Sequence, residues 1–201
     1  MASMSLKVNN LQILQLNPWS FTLEAGEAIY LSGSSGSGKT RLLRAIADLD
    51  PHQGEVFLNN ESQLSMPADV WRKRVAFLPA ESQWWEDYVA GHFTGYDNHM
   101  LEQLGFKPEV MDWEIARLSS GEKQRLALLR ALAESPEVLL LDEPTANLDQ
   151  KCTEVIETCI KELSDTKGIA VMWVTHDSDQ ISRVAKHGWL IEGNMIREQL
   201  L

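Results

Sequence analysis

The octet Gly33-Ser34-Ser35-Gly36-Ser37-Gly38-Lys39-Thr40 constrains the fold of this chain more than any other stretch. It fills every fixed position of G-x-x-x-x-G-K-[ST], a pattern that works only where a strand feeds the loop and a helix leaves it. Both flanks comply. Glu27-Ala28-Ile29-Tyr30-Leu31-Ser32 reads as a short apolar strand running into the first glycine, and Leu42, Leu43, Ile46 and Leu49 share one side of a helix predicted over Lys39 to Leu49. The glycines let successive backbone N–H groups turn inward as a concave anion nest. The helix that follows adds its positive N-terminal end. The expected ligand is a polyphosphate, with Lys39 bridging the β- and γ-phosphates and the Thr40 hydroxyl on Mg2+.

The remaining chain alternates strands with helices. Leu6 to Leu14 and Trp19 to Leu23 read as strands parted by the Asn17-Pro18 break, and Gly54 to Asn59 as a hairpin strand. Val75-Ala76-Phe77-Leu78-Pro79, Val138 to Asp142 and Ile169 to Thr175 are apolar enough to be buried strands. Ser119 to Glu134 and Gln150 to Leu163 read as helices, and Ser119 with Glu122 stands at capping-box spacing. Ala80 to Arg117 has a looser, mostly helical pattern that suits a subdomain, and Trp189 to Glu192 with Met195 to Glu198 forms a hairpin around Gly193-Asn194. Such alternation predicts an α/β sheet with helices on both faces. With 201 residues, one domain is expected.

Charge excludes one class of partner. A net charge of −11 argues against nucleic acid, whose phosphates need concentrated Lys and Arg. No apolar run reaches the roughly 18 to 20 residues that cross a bilayer, and Met1 to Lys7 lacks a hydrophobic signal core. Cys152 and Cys159, seven apart on a predicted helix, show no disulfide-framework spacing and fit a reducing compartment.

Two further blocks narrow the family. Leu118-Ser119-Ser120-Gly121-Glu122-Lys123-Gln124-Arg125 precedes the second helix, and Val138-Leu139-Leu140-Leu141-Asp142-Glu143-Pro144-Thr145-Ala146-Asn147-Leu148-Asp149 follows it. Together with Gly33–Thr40 they resemble the signature helix, Walker B strand and D-loop of the ABC-type ATPases, and the resemblance runs from Leu6 to about Glu198. It implies a P-loop NTPase fold of the ABC-ATPase kind: a mainly parallel core sheet, an N-terminal antiparallel β subdomain and a helical signature subdomain. One domain over 1–201 would divide into a core with the β subdomain (6–79 and 136–201) and a helical part (80–135).

The resemblance also implies roles. Asp142 would hold Mg2+ together with Thr40, Glu143 would activate the attacking water as general base, and His176, after Val171-Met172-Trp173-Val174-Thr175, would contact the γ-phosphate and orient that water. ATP would lie on Gly33, Ser34, Ser35, Gly36, Ser37, Gly38, Lys39 and Thr40. Ser119 and Gly121 would reach the nucleotide of an opposite subunit, and Asp149 would span the interface. A head-to-tail homodimer or paired ATPase, cytoplasmic and peripheral on the inner face of the membrane beneath separate permease subunits, is the expected assembly. The short length and the Glu122–Arg125 and Val171–Asp177 segments look most like bacterial subunits of iron or metal export. A non-transport switch acting on a soluble partner is the alternative.

Three positions depart from the family pattern. The aromatic residue that stacks on adenine near the end of the first strand is replaced by Leu11, Ile13 and Leu14, with Trp19 the nearest ring. Ala80 stands where the Q-loop glutamine is expected, leaving Glu81 or Gln83 as substitutes by a register shift. Ser120 replaces the second signature glycine. Next to Ala80, the adjacent Trp84 and Trp85 cannot both face one core, so one is expected at the surface; the resemblance implies an anchor for a membrane subunit there, with packing inside the subdomain as the alternative.

Overall fold

A computed structural model describes residues 5–146 and 148–200. Met1 to Met4 at the expected start, and Asn147 of the D-loop, lie outside the described residues.

Strands β1 (Ser5–Gln12) and β2 (Trp19–Glu24) pair antiparallel, and β3 (Ala28–Gly33) leads through the phosphate loop into α1 (Lys39–Ile46). After β4 (Gln53–Leu58) and the two-residue β5 (Glu61–Ser62) come α2 (Ala68–Arg74) and β6 (Val75–Leu78). Then follow α3 (Asn98–Gln103), α4 (Ser120–Leu132), β7 (Val138–Asp142), α5 (Gln150–Lys167), β8 (Ala170–Val174), α6 (Ser178–Val184), β9 (His187–Glu192) and β10 (Met195–Leu200).

These make two sheets, an antiparallel one ordered β2-β1-β4-β5 and a larger one ordered β10-β9-β3-β8-β7-β6. Among the described residues, only the β9–β10 edge pair of the larger sheet is antiparallel. Every residue of β7 and β8 is buried, as central strands covered on both faces must be. The pleat divides them cleanly. Val138, Leu140, Met172 and Val174 join Leu42, Leu43 and Ile46 of α1 and the inner face of the antiparallel sheet. Leu139, Leu141, Val171 and Trp173 join Leu126, Leu128 and Leu129 of α4 and Ile156, Ile160 and Leu163 of α5. β2, by contrast, alternates buried and exposed along Trp19–Glu24, because only one of its faces meets the core.

The expectation of a mostly helical segment from Ala80 to Arg117 needs correction. Its only α-helix among the described residues is α3; the rest is loop and single 3₁₀ turns at Val89–His92, Pro108–Asp112 and Ile115–Arg117. Val89 N–H bonds Trp113 O and Ile115 N–H bonds Asp87 O, closing the segment on itself instead of extending helices. Its apolar residues, including Leu101, Leu104, Phe106 and Val110, share a cluster with α4, α5 and the sheet, so 80–135 packs on the core over one continuous apolar surface. The short helices α2 and α6 carry no strong periodicity; buried Trp71 anchors α2 by donating Nε1–H to Ile46 O at 2.9 Å.

Candidate active site

The phosphate loop is shaped to receive an anion. Gly38 sits at φ 102, a conformation that side-chain-bearing residues rarely adopt. At Gly33, φ 149, an added Cβ would lie 2.9 Å from both Ile191 O and Ser37 Oγ. α1 starts with no side-chain cap and no acidic residue in its first turn, so its free N–H groups face the loop without competition. Ser37 Oγ is buried and, among the described residues, has no hydrogen-bond partner. Uncapped amides, a buried orphan hydroxyl and a lysine form a set of donors, which fits phosphate oxygens. Lys39, 8% exposed, folds its Nζ onto Gly33 O (2.8 Å) and Ser34 O (3.0 Å).

Parallel strands deliver the other groups to the same edge of the sheet. Asp142, at the last position of β7, is 5% exposed and accepts the Thr40 hydroxyl at 2.7 Å. Burial pushes its carboxyl above the usual range and Glu143 adds to this, while the Thr40 hydrogen bond and Lys39 pull the other way. A hydroxyl and a carboxylate side by side are hard oxygen donors suited to Mg2+. A cation there would favour the ionised carboxylate, so Thr40 and Asp142 fit the metal role expected of them.

Glu143 lies just past β7 with φ 46, rare for a residue with a side chain. Its N–H donates to Val174 O (3.0 Å) and its carbonyl accepts from Ala146 N–H (3.0 Å), which hold the strained turn. His176 follows β8, the neighbouring strand, and its Nδ1 stands 3.5 Å from Glu143 Oε1. His176 is largely exposed and Glu143 about one-third exposed (side chains 74% and 31%), so both face the open crevice at the carboxyl ends of the strands.

The residues expected to reach an opposite subunit are positioned differently. Ser119 caps α4: Glu122 N–H donates to its Oγ at 3.3 Å, and its own N–H and hydroxyl each donate to Glu122 Oε2 at 2.8 Å. Asp149 caps α5 by accepting Cys152 N–H at 2.8 Å, and that bond holds its carboxyl below the usual range. Gly121 lies between them, where an added Cβ would meet Leu148 at 3.4 Å and Cys152 Sγ at 3.9 Å. Among the described residues, no hydrogen bond or ion pair links these three to Gly33–Thr40.

At the departures, Leu11 and Ile13 are buried in the core, and Trp19 stacks on Phe21 (4.2 Å) against Trp189. Leu14 alone of this group is exposed, at 61%. Ala80 and Glu81 are exposed, and Gln83 turns its amide back to Glu81 O at 3.5 Å. Trp85 is at the surface (68% exposed) and Trp84 half-buried, with the Arg130 guanidinium 4.6 and 4.9 Å from the Trp84 and Trp85 rings. Burial lowers the pKa of that guanidinium, and Arg130 Nη2 donates to Gln83 O.

Sequence reasoning missed two buried glutamines. Gln124 on α4 donates to Pro79 O at 3.0 Å, beside Ala80. Gln180 on α6 donates to Thr145 Oγ1 and Glu157 Oε1. Each is a polar residue on an inward helix position; for Gln124 that signal was present in the α4 pattern, whereas α6 was too short to show one.

Residues 16–146 match the family model described as ABC transporter. The probable iron export ATP-binding protein FetA of Escherichia coli (strain K12) is 33% identical over 190 residues, covering 85% of this chain and 82% of that protein. The lipoprotein-releasing system ATP-binding protein LolD of Francisella tularensis subsp. holarctica (strain OSU18) is 32% identical, covering 86% and 84%. A dimeric bacterial ABC transporter cassette has the same fold, with a TM-score of 0.80 at 25% identity and 98% of each chain covered. A dimeric cassette in a post-hydrolysis state with ADP and Pi gives 0.82 at 24% identity, again covering 98% of each chain. With its phosphate loop, its Asp142–Glu143 strand end and its facing histidine, this chain belongs to the ABC transporter family and is an ATPase.

Proposed function

We propose that the chain hydrolyses ATP as one half of a head-to-tail pair and drives a transporter whose membrane-spanning subunits are separate chains. The observation that carries this is the convergence of Thr40–Asp142 and Glu143–His176 at the ends of three neighbouring parallel strands. Thr40 and Asp142 would hold Mg2+, which would supply charge neutralisation at the β- and γ-phosphates. Glu143 takes the proton of the attacking water as general base. His176, 3.5 Å away, orients that water and contacts the γ-phosphate. Among the described residues, Ser119 and Gly121 make no hydrogen bond or ion pair with their own chain's phosphate loop, which supports their serving the partner's nucleotide, with Asp149 beside them at the interface.

A groove lined by Leu49, Arg72, Phe77, Pro79, Trp85 and Arg130 suits the membrane partner, because an exposed indole beside a guanidinium is an efficient anchor pair. No helix among the described residues is long and apolar enough to cross a membrane. Relatives named for iron export, lipoprotein release and molybdenum import stand at 33%, 32% and 31% identity. That spread of cargoes at similar identity supports a cargo choice made in the membrane chain, and export of iron or another metal is the sub-assignment proposed. Ala80 favours one second reading, a switch on a soluble partner, since alanine cannot couple the γ-phosphate to a permease.

The test is the Glu143→Gln variant with MgATP. Slowed hydrolysis traps a dimer, seen in light scattering as a doubling of mass that vanishes with ADP. A variant that stays monomeric under saturating ATP, alone and with its permease, overturns the shared site.

A further inference from the structure

The side-chain amide of Gln180 lies outside every motif described above, yet it joins the two loops that carry Glu143 and His176. It is 3% exposed. One amide hydrogen goes to Thr145 Oγ1 at 2.8 Å and the other to Glu157 Oε1 at 2.9 Å. Glu157, on α5, is itself clamped by Arg183 through Nε and Nη2, both at 2.9 Å. The amide therefore has a fixed anchor on one side and the Thr145 hydroxyl on the other.

Both ends of this chain of bonds sit where register matters. α6 begins at its cap Asp177, the residue after His176, and Gln180 lies in its first turn. Thr145 lies two residues after Glu143, within successive turns closed by Ala146 N–H to Glu143 O and Leu148 N–H to Thr145 O, which run on to the Asp149 cap of α5. The Glu143 backbone, at φ 46, persists only if its surroundings over-determine it.

We propose that Gln180 is a positioning residue for ATP hydrolysis: by holding Thr145 it keeps the Glu143 and His176 side chains in register and ties both to the interface cap at Asp149. The proposal rests on the reading of Glu143 and His176 as the hydrolytic pair. A primary amide supplies two donors from one nitrogen to two oxygen acceptors without carrying a charge. Leucine matches its bulk without either donor, and valine at 145 removes the acceptor while keeping the shape.

The experiment compares steady-state ATPase kinetics and ATP affinity for Gln180→Leu, Thr145→Val and the double variant, with Glu143→Gln as control. Gln180→Leu should lower kcat about 10- to 100-fold through misplacement of the reacting groups, with KM and ATP affinity within about twofold. Thr145→Val should do the same, and the double variant should be no worse than the poorer single, because both remove one interaction. Unchanged kcat in a folded Gln180→Leu protein, multiplying effects in the double variant, or a KM that rises as kcat falls each overturns the proposal. If Gln180→Leu fails to fold, Thr145→Val, a half-buried loop position, decides by the same kcat and KM criteria. Persistent turnover in Glu143→Gln would instead remove the hydrolytic-pair reading; a dead Glu143→Gln beside a fully active Gln180→Leu removes only the positioning role.

Discussion

Ser119→Ala separates a structural role from a catalytic one at a single hydroxyl. In this structure Ser119 Oγ accepts Glu122 N–H at 3.3 Å and donates to Glu122 Oε2 at 2.8 Å, while the Ser119 N–H keeps its own 2.8 Å bond to the same carboxylate. Alanine removes the first two and leaves the third. Losing a serine cap costs about 1 kcal/mol. For a domain of this size that shifts Tm by roughly 2 to 4 °C, and against a stability of about 10 kcal/mol it leaves essentially all molecules folded. If the hydroxyl also donates to the γ-phosphate on an opposite subunit, it must let go of Glu122 Oε2, whose position the backbone N–H preserves. Removing such a donor lowers turnover by about 10²- to 10³-fold. The two effects differ too widely to be confused. Melting by circular dichroism and phosphate release under saturating ATP measure them separately. Ser119→Asn, a comparably good cap, should restore Tm but not turnover, since its longer amide displaces the donor. A Ser119→Ala protein with a lowered Tm and wild-type turnover would show that Ser119 is a cap alone, and would refute the shared-site argument.

Three further outcomes follow from the same geometry. His176→Ala should bind ATP normally and lose turnover by about 10²- to 10³-fold, read by nucleotide titration beside phosphate release; the imidazole is largely exposed, so Tm should hardly change. In thiol labelling at pH 8, Cys152, half-buried at the α5 start, should react slowly and Cys159 not at all until urea unfolds the chain, because burial pushes the Cys159 thiol up to about 12. In acid, hydrogen bonds from Arg44 hold Asp50 below the usual carboxylate range, and the Ser119 N–H does the same for Glu122. The stability they contribute is present above the unfolded-state pKa, about 4, and is lost as pH falls through their lower folded values. Asp142 has the opposite sign: its raised carboxyl protonates first, and that step favours the folded state. Urea midpoints should thus hold or rise slightly as pH drops toward the ordinary carboxylate range, then fall below it; Asp50→Asn should weaken the fall and Asp142→Asn should remove the rise.

Much of this was legible in the residues because it is local. The Gly33–Thr40 pattern and its flanks place a strand, a nest and a helix within about twenty residues, and β3 and α1 form there. β7 spans Val138–Asp142 as read, since four buried apolar positions ending in a buried acid leave little freedom. The Ser119/Glu122 box is a three-residue interaction, and it is made as spaced. Ala80 to Arg117 was misjudged because its short turns are held by distant partners, such as Asp87 with Ile115 and Val89 with Trp113, and carry little periodicity of their own. Gln180 escaped notice because a glutamine on so short a helix acquires meaning only when a remote oxygen arrives beside it, whereas Gln124 stood at an inward position of the α4 pattern.

By itself, then, the sequence determined the phosphate loop, the strand-end acids Asp142 and Glu143, the Ser119–Glu122 cap and the α/β alternation, all of which depend on neighbours a few residues away. Only the tertiary structure decided that Thr40 meets Asp142 across 102 residues, that His176 faces Glu143 from the adjacent strand, and that Gln180 bridges their loops. Strand order in the sheet brings those groups together, and strand order arises from long-range burial that no local spacing encodes.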